Sequence, residues 1–341
     1  MCCRFKANSS ESAIFSAYQN LFQKLHNSSS KGTTLRLGNA VALQGAVNPA
    51  YLDLVKSTFE AAIFSLDFSA ASSTALNELN SWVREKTNGK IPKMLDSLER
   101  NTKIVLLNAI YFKGSWKLPF PPKTTVPNEF NCGKGQKVTV PMMHLKDVRL
   151  RYAEFDDGQL VELPYQSGDQ ERDATANIQL CMYVFLPKEQ DNVNYATLSE
   201  KFAKISSRFG KMFFTQVNLA MPRFKVESFL PLNSALQQAV GIQASFNPLL
   251  ADFGRMEVVA TAGGGQPSLH SLYLSSVFHR SVVEVNEEGS EAAAATVAIV
   301  CLRAMPMPKR PVTVILNRPF LFLIRDRLSQ VTFFAGVLSK P

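Results

Sequence analysis

The residues able to do chemistry in this chain are few and scattered. Four histidines, His26, His144, His270 and His279, show no H-E-x-x-H spacing, and five cysteines, Cys2, Cys3, Cys132, Cys181 and Cys301, form no C-x-x-C pair. A zinc site and a disulfide framework are therefore not indicated. Nor is there a G-x-S-x-G elbow, a P-loop or a Rossmann glycine pattern, the spacings that expose a nucleophile or cradle a phosphate. The residues give no enzyme, no cofactor and no metal. One unusual segment remains: Asn286 to Arg303 reads NEEGSEAAAATVAIVCLR, with no proline, little bulk and a single basic residue at its end.

Two readings of that segment stay open on local physics. Alanine has the best helix propensity and glutamate suits a first turn, so Glu288 to Ala298 reads as a helix or a loose loop. With a period of two, the set Ser290, Ala292, Ala294, Thr296, Ala298 and Val300 is uniformly small or apolar and fits against a core, while the other set begins with Glu291. Proline is absent from Glu287 to Met305, which leaves every backbone N–H free to join a ladder. A stretch that suits both states is able to change between them.

EVNEEGSEAAAAT, from Glu284 to Thr296, resembles the hinge of the reactive-centre loop of serpins. Further matches follow in order: LNSWVREKTNGKI (Leu79 to Ile91), similar to the family's helix F; LLNAIYFKGSWKLPF (Leu106 to Phe120), similar to the third strand of sheet A and its breach tryptophan; then VPMM, ELPY, MYVFLP, MPRFKVES, ADFGRM, LYLSSVFHRSVVEVNEEG, NRPFLFLIRD and FAGVLSKP. On their number and order the chain is identified as a member of the serpin family. Length alone, 341 residues, would suggest two domains. The resemblance implies one, covering residues 1–341, in an α+β serpin fold: mixed helices packed on three β-sheets, with an exposed reactive-centre loop at about residues 287–308.

What the resemblance implies about function is inhibition of a serine protease by a suicide substrate. In that family, loop insertion is a strand addition that releases stored strain. The protease cuts the loop, and while the acyl bond persists the loop enters sheet A and drags the enzyme across the molecule. The hinge would comprise Glu287, Glu288, Gly289, Ser290, Glu291, Ala292, Ala293, Ala294, Ala295 and Thr296, with Gly289 as pivot and Ser290 entering first, where a charged residue would be costly to bury. Counting as in family inhibitors places the reactive bond sixteen positions after Glu287, at Arg303–Ala304. A trypsin-like pocket takes such a long cation. Lys309 or Arg310 would need a longer loop, and Leu302 or Met305 would suit chymotrypsin-like or elastase-like enzymes. Cys301 reads as a small hydrophobe, or as an oxidisable exposed thiol.

Three further residues match structural positions of the family. His279 and Asn108 would hydrogen-bond beneath the opening point of sheet A, and Trp116 would stand at the breach where the inserting strand enters. Their alternatives are a satisfied core histidine and a space-filling aromatic. The match begins near Ser12, in what resembles helix D followed by a sheet-A strand at Thr34 to Leu43. The family's first three helices and a sheet-B strand have no counterpart, so apolar surface and an open edge are expected. A truncated inactive product and a non-inhibitory carrier or chaperone are the alternatives to inhibition.

The net charge of +9 permits binding of polyanions such as glycosaminoglycans or nucleic acid. No specific nucleic-acid motif accompanies it. Lys201, Lys204, Arg208 and Lys211 recur at helical spacing as a solvated stripe, and the segment resembling the heparin-binding helix holds only Lys24. The longest apolar run, Ala292 to Leu302, is far short of the ~20 residues of a membrane span. Family resemblance places the protein outside the cell as a monomer, whereas MCCRFKANSSES, with no apolar centre, places the chain as it stands in the cytoplasm. Among the supporting elements, Ile14, Phe15, Tyr18, Leu21 and Phe22 predict a helix over Ser12 to Leu25. Val312 to Leu316, Phe320 to Ile324 and Val331 to Val337 predict buried strands, the latter pair a hairpin. TAGGGQPS, Thr261 to Ser268, reads as a flexible loop.

Overall fold

The computed structural model describes residues 10–27, 33–166, 178–188, 198–256, 272–288 and 310–341. Its elements run α1 (Glu11–Asn27), β1 (Thr34–Gln44), α2 (Pro49–Phe59), β2 (Ala62–Leu66), α3 (Ser72–Lys86), β3 (Ile104–Lys113), β4 (Val126–Gly133), β5 (Gln136–Phe155), β6 (Gly158–Pro164), β7 (Leu180–Pro187), α4 (Leu198–Ser206), β8 (Phe213–Pro222), β9 (Phe224–Pro231), β10 (Leu274–Val285), β11 (Val312–Ile315), β12 (Phe320–Asp326) and β13 (Thr332–Leu338). The stripe in α1 and the β12–β13 hairpin are where the sequence predicts them.

Five strands form one sheet in the order β2-β1-β3-β10-β9. β3, IVLLNAIYFK, is buried along most of its length, as befits a central strand covered on both faces. One face carries small residues, Ala40, Ala42 and Ala109, which let α3 approach closely through Ala75, Leu79 and Val83, spaced i, i+4, i+8. A Cβ on Gly38 would lie 3.2 Å from the Trp82 ring, so glycine suits that crossing. After α3 the chain stays on the sheet: the Asn80 side chain accepts from the backbone N–H groups of Met94 and Leu95, and Ile91, Met94 and Leu95 are buried.

The other strands form an eight-stranded sheet, β11-β8-β5-β6-β7-β12-β13, with β4 added to β5. Three sheets were expected, and hydrogen bonding joins the second and third into one. The 20-residue β5 is the reason: its first part pairs with β4, its middle with β8 and its end with β6. A register shift between Leu145 and Val148 marks the bend, and Asp147 there has φ 51°, as an extra residue in a bulge requires.

Behind the five-stranded sheet, Phe15 and Tyr18 of α1 pack edge-on against Phe59 of α2, at 5.8 and 5.2 Å between ring centroids. There, a cavity of about 460 Å³ opens beside Phe22, Leu37, Phe59, Ile110 and Phe333. The cavity borders the sheet at Asn108 and His279. Among the described residues no helix is long and apolar enough to cross a membrane.

Candidate functional site

β3 and β10 pair in parallel at the seam between them, while each pairs antiparallel with its other neighbour, β1 and β9. The two strands pair directly from Ile104↔Leu274 to Lys113↔Glu284, so no strand lies between them. Parallel pairing is the slightly weaker kind. A strand that followed β10 and folded back into the seam would run antiparallel to both neighbours, replacing one parallel ladder with two antiparallel ones.

Across the middle of the seam runs a row of polar side chains in register: Asn39 on β1, Asn108 on β3 and His279 on β10. The Asn108 amide donates to Asn39 Oδ1 at 2.6 Å, and His279 Nδ1 lies 2.6 Å from Asn108 Oδ1. Because that oxygen can only accept, Nδ1 carries the proton. Asn39 in turn donates to the Phe59 carbonyl at the end of α2. Burial lowers the His279 pKa and keeps the ring neutral. Strands lie about 4.8 Å apart, so an inserted strand would double the spacing between β3 and β10 and break the Asn108–His279 bond. The row fastens the seam closed.

The end of the seam is fastened through the residues that follow β10. Trp116, buried, donates its indole N–H to the Asn286 carbonyl at 2.7 Å and its backbone N–H to the Glu288 carbonyl at 3.0 Å. Its ring stacks on Tyr165 at 4.3 Å, and the two residues form a backbone bridge. A Cβ on Gly114 would overlap the Tyr165 ring. Burial pushes the Tyr165 phenol well above its usual range, and its hydroxyl finds no partner among the described residues.

The Glu287 carboxylate, nearly buried, accepts from Thr125 Oγ1 at 2.8 Å and pairs with Arg223. Burial alone would raise its pKa, but the bonds from Arg223 and Thr125 outweigh that and hold it low. Glu288 pairs with Lys113 at the end of β3, and that bond lowers its pKa. Glu284 accepts from the Tyr111 hydroxyl at 3.0 Å and pairs with Lys90, in the turn after α3, at 3.8 Å.

Of the residues predicted from sequence, the structure brings Asn108 together with His279, and Trp116 together with Glu288, while Glu287 meets Thr125 and Arg223. Gly289, Ser290, Glu291, Ala292, Ala293, Ala294, Ala295, Thr296, Cys301, Arg303 and Ala304 lie outside the described residues. So do Cys2, Cys3, His270 and the loop Thr261 to Ser268. Cys132 and Cys181 are free thiols. Sequence reasoning did not single out Asn39, Gly114, Thr125, Tyr165 or Arg223. Gly114, Tyr165 and Arg223 sit inside matched motifs, FKGSW, ELPY and MPRFKVES, but only the fold shows what they touch. Among the described residues no group of histidine, cysteine and carboxylate side chains could hold a metal.

Comparison with known proteins follows the same line. A family model described as serpin (serine protease inhibitor) matches residues 3–341. The human leukocyte elastase inhibitor is 35% identical over 319 residues, covering 90% of this chain and 78% of that protein. Serpin-ZX of Hordeum vulgare is 35% identical, over 86% of this chain and 71% of its own. Among solved structures, an Arabidopsis serpin in its native stressed conformation matches with a TM-score of 0.81 and 26% identity, over 98% of this chain and 83% of that one. A highly specific serpin of the insect Tenebrio molitor matches with a TM-score of 0.78 and 25% identity, over 98% and 82%.

Proposed function

The chain belongs to the serpin family, and from that premise we propose that it inhibits a trypsin-like serine protease as a suicide substrate, with cleavage at Arg303–Ala304. The observation that carries this reading is the closed β3–β10 seam with the hinge tethered at its end. Gly289 follows directly on Glu288 in the sequence, the order that a pivot for an entering strand requires. From Ser290 onward, small residues at alternate positions would enter the sheet between β3 and β10 with little steric cost. The ~15 residues from Gly289 to Arg303 at ~3.3 Å each extend to about 50 Å, ample for the 10-residue β3 beside them.

The protein acts as one domain over residues 1–341, consumed once per protease, with the loop at about 287–308 as its moving part. A second reading concerns the target. The human relative is named an elastase inhibitor, and Leu302 or Met305 would offer an elastase-like or chymotrypsin-like enzyme its bond. Arg303, the single basic residue between Glu287 and Pro308, favours the trypsin-like target.

Ser290→Arg tests the mechanism. A guanidinium at the first entering position must be buried for insertion to proceed, so the variant is expected to be cut as a substrate, with a large rise in moles consumed per mole of protease blocked. An unchanged stoichiometry would rule out insertion.

A further inference from the structure

Lys117 and Pro164, the chain neighbours of Trp116 and Tyr165, line a pocket of about 210 Å³ that the inhibitory cycle does not use. Four cations, Lys117, Arg149, Arg151 and Arg327, line it with a single carboxylate, Glu162. That carboxylate is already engaged: it is buried, 2.9 Å from Arg151 and 3.8 Å from Arg327. Arg151 spends its other nitrogen on the carbonyls of Phe209 and Met212. Lys117 and Arg149 have no ion pair among the described residues. The Arg149 guanidinium lies over the Phe214 ring instead, 5.2 Å from its centroid, and that ring is 59% exposed.

Uncompensated charge in a concave site concentrates anions, and a guanidinium offers two parallel donors to an oxyanion. The walls beside it, Leu118, Leu150 and Phe214, are apolar. The volume is below the ~300–1,000 Å³ of drug-sized sites, which limits the occupant to a fragment. We propose that this pocket binds a small organic anion, with a phosphate or sulfate headgroup between Arg149, Lys117 and Arg327 and one apolar ring against Phe214. The rims are fixed to each other, since the Lys117 N–H donates to the Pro164 carbonyl at 2.9 Å and the Gln166 N–H to the Ser115 carbonyl at 2.7 Å. The site therefore adjoins the bridge that tethers the hinge.

The test is titration calorimetry on the full chain at low salt with phenyl phosphate, phenyl sulfate and inorganic phosphate. Single-site binding of either phenyl ester, tighter than inorganic phosphate, supports the pocket and names the headgroup it takes. Arg149→Gln and Lys117→Gln should each weaken it about tenfold or more, while Lys225→Gln, an exposed cation on β9, leaves it unchanged. Saturable heat from neither ester, or unaltered affinity in both pocket variants, would overturn the proposal. So would equal affinity for inorganic phosphate, which removes the apolar seat. The readout is binding alone, so it stands apart from whether the chain inhibits a protease.

Discussion

Changing Glu287 to Gln removes the charge from the group that anchors the start of the proposed hinge while keeping its size. The carboxylate holds two bonds, from Arg223 and from Thr125 at 2.8 Å. A hydrogen bond to a charged group contributes ~1.5–3 kcal/mol, but the Arg223 side chain is 50% exposed, and solvent screens its share. The neutral amide can still accept from Thr125, so the loss is about 1–2 kcal/mol. If that energy holds the seam shut, spontaneous conversion to the inserted form accelerates roughly 5- to 30-fold. The assay incubates the protein at fixed temperature and follows the fraction still able to block trypsin. Arg223→Gln should accelerate conversion similarly, and the double variant little further, since both remove one interaction. The same bonds give a pH signature. A carboxyl held below its ordinary value contributes fully above the unfolded pKa of about 4.3 and is lost as pH falls through the lower folded value. The parent should therefore convert at a constant rate from neutral pH to about pH 5 and faster in stronger acid, with Glu287→Gln less sensitive. Additive single variants, or rates within twofold of the parent, would refute the tether.

Other perturbations separate the parts of the account. Arg303→Ala should abolish inhibition of trypsin-like enzymes, and retained inhibition would move the reactive bond. Asn108→Leu leaves Asn39 and His279 without their shared partner at a cost of roughly 2–4 kcal/mol, so heat inactivation should quicken at least tenfold; an unchanged half-life would show that the row does not fasten the seam. Gly114→Ala drives a methyl into the Tyr165 ring, and overpacking of this kind costs about 1–3 kcal/mol. Its melting midpoint should fall, with a change in Trp116 fluorescence as the stack shifts.

Much of the fold was legible because periodicity reports burial. The α1 stripe and the β12–β13 hairpin are local patterns, and each side chain's place follows from its spacing. The fusion of two expected sheets was not legible, because it depends on β5 running 20 residues through a bulge at Lys146 and Asp147, and a bulge leaves no periodic trace. Asn108 and His279 were reached through resemblance, and a lone asparagine in an apolar strand signals little else. Asn39 was missed for the same reason: its role appears only when β1 sets it beside Asn108. Arg223 and Thr125 lie 64 and 162 positions from Glu287, and no spacing rule joins residues that only the sheet brings together.

The most direct measurement of the central claim mixes the purified chain with trypsin, resolves the products on a denaturing gel and sequences the released C-terminal fragment. The account predicts a covalent complex that survives denaturation and a fragment beginning at Ala304. Clean cleavage without complex, or no cleavage in the loop, would contradict it.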